Sequence, residues 1–108
     1  MSKAQRDKGR RGQTSAERLL KDRDWTTDPI TSGIKREDII ATDPDGVVWS
    51  VEVKNCASIT FAHRVQAMEQ ARARKLSWML MSHIRGSRCW LVQCQGRLPV
   101  IWHEKELG

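Results

Sequence analysis

Hydrophobic and polar positions along this chain alternate in two distinct periods. Between residues 14 and 24, Leu19 and Leu20 supply a buried stripe, and Thr14 followed by Glu17 fits a Thr-x-x-Glu capping box, which predicts a first helix over 14–24. Residues 25–31 read as a short extended piece, because Pro29 holds its preceding neighbour away from helical geometry. Ile39-Ile40-Ala41-Thr42 opens a strand directly after Asp38. Over 49–55, Trp49, Val51 and Val53 point one way while Ser50, Glu52 and Lys54 point the other, the period of two that marks a strand. Asp43-Pro44-Asp45-Gly46 between these two runs is a hairpin turn. After a loop over 55–60, in which Ser58 or Thr60 caps the next element, Phe61, Val65, Met68 and Ala71 form the buried face of a helix over 61–76. His63, Gln66 and Gln70 form its outward polar stripe. Strands over 78–83, 89–93 and 98–102 complete the chain, with turns at 85–88 and 95–97 and Pro99 marking the last strand as an edge. The order α-β-β-β-α-β-β-β predicts an α/β fold with a mixed central sheet.

That order carries candidate chemistry. Antiparallel pairing across residues 43–46 returns Asp38 to the Glu52–Lys54 end of the second strand. Two carboxylates repel each other, so the cluster is poor as a structural device, but with an ammonium beside it the group suits a divalent cation. The structural alternative is a surface ion-pair group, and for Glu17 it is the capping box alone.

Charge sharpens the choice of partner. The 108 residues carry 19 Lys+Arg against 13 Asp+Glu, a net +6 that favours a polyanion, nucleic acid before membrane. Residues 1–12 lack apolar periodicity and hold Lys3, Arg6, Lys8, Arg10 and Arg11 against Asp7, a disordered basic tail able to add phosphate contacts; residues 13–108 form a single domain. Three cysteines at irregular spacing and a polar N-terminus exclude a disulfide framework and point to a reducing cytoplasm. Cys89, Cys94 and His103 match no common zinc finger. No run reaches the ~20 apolar residues of a membrane span. Of the five tryptophans, Trp49 and Trp78 are expected inside, while Trp90 and Trp102 either form an apolar interface patch or close a cramped core.

Gly12 with AERLL (16–20), TSG (31–33), DII (38–40), VEVKN (51–55) and a glutamine-bearing helix, in that order, resemble the PD-(D/E)XK nuclease superfamily, and within it the archaeal-type Holliday junction resolvases and similar small phage nucleases. The resemblance spans about residues 12–83. It implies a restriction-endonuclease-like mixed β-sheet flanked by helices, α-β-β-β-α-β with a C-terminal β-hairpin. It implies Mg²⁺, with Mn²⁺ as an alternative, held by Asp38, Glu52 and the carbonyl of Val53. Lys54 then orients the attacking water or stabilises developing charge, Glu17 holds the site's waters or a second metal, and Gln66 or Gln70 aligns Lys54 or contacts a phosphate. Glu37 stands where the family has proline, which leaves Glu37 or Asp38 as the ligand; Asp38 is preferred because it adjoins the apolar strand. DNA contacts are expected from Lys8, Arg10 and Arg11 of the tail, from Ser32, Lys35 and Arg36 of the loop, and from Arg64 and Gln70 of the second helix. The implied protein is a structure-selective DNA endonuclease acting on branched or duplex DNA, a two-fold homodimer in the cytoplasm of a bacterial, archaeal or phage-infected cell. The alternatives are a non-catalytic nucleic-acid-binding protein on the same fold, and a nuclease for linear, flap or single-stranded DNA.

Overall fold

The computed structural model describes residues 12, 14–29, 38–55 and 60–104, with Pro29 and Asp38 as backbone positions. Helix α1 (residues 14–21) is followed by β1 (Thr26–Pro29), β2 (Asp38–Thr42) and β3 (Val48–Lys54). Then come α2 (Phe61–Arg74), β4 (Ser77–His83), β5 (Cys89–Cys94) and β6 (Val100–His103). The expected order is borne out, the extended piece at 25–31 becoming edge strand β1.

The six strands form one mixed sheet in the order β1-β2-β3-β4-β5-β6. Neighbours pair antiparallel except β3 and β4, which are parallel. A parallel pair needs a long crossover, and α2 supplies it.

The pleat sorts side chains into two layers. Ile39, Ala41, Trp49, Val51, Val53, Met79, Met81, Trp90 and Val92 share one face and pack with Ala16, Leu19 and Leu20 of α1 into the main core. The other face presents Ser50, Glu52, Lys54, Leu80 and Ser82, and α2 packs on it across β3 and β4. Trp90 and Trp102 belong to the core layer: Trp90 is 1 % exposed and Trp102 packs against the cluster. An exposed Trp90–Trp102 patch is therefore corrected to core closure, and Trp78 is half-buried rather than inside.

Both helices stop earlier than their hydrophobic pattern indicates. Trp25 N–H donates to the Leu20 carbonyl (3.1 Å) and Asp24 N–H to that of Lys21 (3.1 Å), with Asp24 left-handed at φ 65°. Leu76 and Lys75 repeat the arrangement on Ala71 and Arg72, with Lys75 at φ 59°. These are Schellman endings made without glycine, so the usual sequence marker is missing. Near the other end of α1, Gly12, expected as the last residue of the tail, is helical and buried, and Thr14 is itself helical.

The largest departure concerns α2. Its buried residues are Ala67 and Ala71, with His63, Gln66, Gln70 and Arg74 half-buried beside them. Phe61 and Met68, expected in the core, are exposed, and Val65 is only half-buried. Ala71 is buried as expected, and the helix is turned by roughly a third of a revolution from the expected orientation. The physical reason is the sheet face beneath it: Ser50, Glu52 and Ser82 are buried there and call for polar partners, while alanines let the helix approach closely.

Candidate active site

The β-hairpin sets the site. Asp43 N–H donates to the Val47 carbonyl (2.9 Å) and Gly46 N–H to that of Asp43 (3.0 Å), with Gly46 at φ 87°, where glycine carries no steric penalty. Thr42 then pairs with Val48, and the ladder runs back until Asp38 lies directly opposite Glu52. Directly opposed positions of an antiparallel pair share a face about 4.5–5.5 Å apart. The register thus places the two carboxylate-bearing positions side by side on the face that α2 covers.

Glu52 is only 1 % exposed. Burying a carboxylate is costly unless charge or hydrogen bonds compensate, so the position signals either an ion pair or a site. The Lys54 ammonium lies 3.1 Å from Glu52 Oε1, close enough for an ion pair. Lys54 keeps 18 % of its side chain in solvent, at the mouth of the site. Val53 turns its side chain into the core on the opposite face, so only its backbone carbonyl is available to a ligand.

Helix α2 forms the roof. Thr60 caps it: its hydroxyl accepts from His63 N–H (3.4 Å), and His63 Nδ1 accepts from Thr60 N–H (3.2 Å). His63, expected as a plain surface residue, is half-buried and engaged in the cap. At the far end Arg74 Nη1 donates to the buried Ser50 hydroxyl at 2.8 Å. With Arg74 at the level of Ser50, one turn back along α2 (about 5.4 Å) matches two residues along β3 (about 6.6 Å). That brings Gln70 near the level of Glu52 and Gln66 near Lys54. In the sequence Arg74 only flanks the stripe of His63, Gln66 and Gln70; the fold shows it continuing that stripe by one more turn and tying the roof to β3.

Other expected site residues lie elsewhere. Glu17 is half-buried on α1, whose Ala16, Leu19 and Leu20 pack on the face opposite Glu52. Gly12, near the start of α1, packs against the residue that follows Lys54: a Cβ on it would stand 3.1 Å from Asn55 Cβ. Arg64 is exposed on α2. Lys8, Arg10, Arg11, Ser32, Lys35, Arg36, Glu37, Cys56 and Ser58 lie outside the described residues. Cys89 and Cys94 stand at opposite ends of β5, too far apart to share an ion; Cys89 instead sits 3.2 Å from His103 Nδ1 across the β5–β6 ladder. Among the described residues no three His, Cys, Asp or Glu side chains gather as a metal cluster. No described helix is long and apolar enough to cross a membrane.

No family model, curated protein or solved structure matches the chain. A functional reading of the site rests on its geometry and chemistry.

Proposed function

We propose that the chain is a Mg²⁺-dependent DNA endonuclease with a restriction-endonuclease-like fold, selective for branched DNA. The observation that carries this reading is the register that sets Asp38 opposite Glu52, with Lys54 3.1 Å from the buried Glu52 carboxylate. The donor set fits the ion: carboxylates at 38 and 52 and the Val53 carbonyl are hard oxygen ligands of the kind Mg²⁺ accepts, Mn²⁺ serving as an alternative. Bound there, Mg²⁺ supplies charge neutralisation at a scissile phosphate and acidifies a water. The chain's own residues do the rest. Glu52, fixed by β3 and roofed by α2, holds its carboxylate without rotamer search. The Lys54 ammonium donates to a non-bridging phosphate oxygen or orients the attacking water. Gln70 and Gln66 offer amide donors from the roof, and Arg74, tied to Ser50, holds that roof in register.

The test incubates the protein, Glu52→Ala and Lys54→Ala with labelled four-way junction, linear duplex, flap and single-stranded DNA, with and without Mg²⁺. Cleavage is expected with Mg²⁺ alone, strongest on the junction, and each substitution lowers it by about a hundredfold or more. Cleavage that survives Glu52→Ala refutes the assignment. The 3.1 Å Lys54–Glu52 pair also favours a second reading, a non-catalytic DNA-binding protein in which the two charges neutralise each other. Tight binding without any cleavage would identify it.

A further inference from the structure

Phe61 is the chain's single phenylalanine. It opens α2 and leaves 72 % of its surface in solvent, on the side turned away from the sheet. The Arg64 guanidinium lies 5.6 Å from its ring centroid, so an aromatic face and a cation stand together. The first turn of α2 contains no acidic residue, and its cap is supplied by the neutral Thr60 hydroxyl, so no carboxylate on that turn opposes an approaching anion. The Arg74–Ser50 bond fixes the far end of α2 at the middle of β3, and residues 55–60 join Lys54 to its start. The Phe61–Arg64 pair therefore stands at the same end of the sheet as Glu52 and Lys54.

We infer that Phe61 and Arg64 form a platform for one unpaired nucleobase of a DNA substrate, the ring stacking on the base and the guanidinium meeting the adjoining phosphate. Every base offers a π-face, so the platform is indifferent to sequence and sensitive to pairing: a base inside an intact duplex cannot reach it. The net charge of +6 favours this occupant over an apolar protein partner. The inference rests on the nuclease reading for the path of the DNA, but what it predicts is binding, which is measured without cleavage.

The experiment uses fluorescence anisotropy in EDTA, comparing a duplex carrying one bulged nucleotide with the fully paired duplex. The wild-type protein is expected to prefer the bulged DNA. Phe61→Ala and Phe61→Leu each lower affinity for it by about tenfold, the scale of one base–aromatic stack, and Phe61→Trp retains it. Circular dichroism checks that α2 stays folded in each variant. A Phe61→Leu variant with wild-type preference makes the residue a merely apolar contact and overturns the inference, as does a wild type with no preference at all. A protein that shows the preference yet never cuts DNA in Mg²⁺ refutes the nuclease reading and leaves the platform standing.

Discussion

Asp43 turns its carboxylate into the hairpin instead of toward solvent. Oδ1 accepts from the backbone N–H of Asp45 (3.0 Å) and Val47 (2.9 Å), and Oδ2 accepts from Trp49 Nε1 (3.1 Å). Arg97 lies 3.9 Å from Oδ2 and stacks 5.0 Å over the Trp49 ring, tying the β5–β6 turn to the hairpin. Burial alone pushes the carboxyl pKa up, but the bonds from Trp49, Val47 and Asp45 together with the Arg97 charge outweigh it and hold Asp43 below its ordinary 3.8. The folded group therefore keeps its charge more readily than the unfolded one. Its contribution is fully present above about pH 4 and is lost as pH falls through the lowered folded value. Asp43→Ala should cost about 1–3 kcal/mol in urea unfolding at neutral pH, because it strands the Trp49 N–H, and should flatten the acid limb of the stability curve. An unchanged midpoint would contradict this role. The sequence shows Asp43 as a turn former; its bond to Trp49 depends on which way the indole edge faces, which alternation does not specify.

At the scale of elements, α2 shows where periodicity stops being informative. Phe61, Val65 and Met68 recur at helical spacing, and that spacing reveals an apolar stripe without revealing what the stripe meets. The sheet decides. Its α2 face is made by the even residues of β3, Ser50 and Glu52, so the helix turns alanines and amide side chains inward. A larger residue at the contact should wedge the roof off the site: Ala67→Leu, at a buried position outside the expected stripe, should lose about 1–3 kcal/mol of stability, read by thermal unfolding. Were Phe61, Val65 and Met68 the inward face, the same substitution would be nearly neutral. The strands, by contrast, were legible almost residue by residue. β3 and its turn are readable because apolar and polar residues alternate along it, and a slip of one residue would turn every side chain to the other face. The helix ends were not, because Asp24 and Lys75 take the left-handed cap that sequence normally advertises with glycine.

For the whole molecule, the legible part is the order of elements and the meeting of Asp38 with Glu52; the arrangement of the roof required the fold. The surplus of six positive charges predicts a DNA affinity that falls linearly on a log–log salt plot, with a slope of about −0.9 for each phosphate neutralised. A flat titration would exclude a polyanion partner. We propose a homodimer as part of the nuclease reading; with Trp90 buried, the exposed apolar side chains around edge strand β6 are Leu98, Val100 and Ile101. All of it depends on the hairpin gathering a cation site. Crystals soaked in Mn²⁺ and measured at its absorption edge test that most directly. The account predicts an anomalous peak bound by Asp38 and Glu52 beside the Val53 carbonyl, lost in Glu52→Gln; a protein with no ion there, its Lys54 still paired to Glu52, would contradict it.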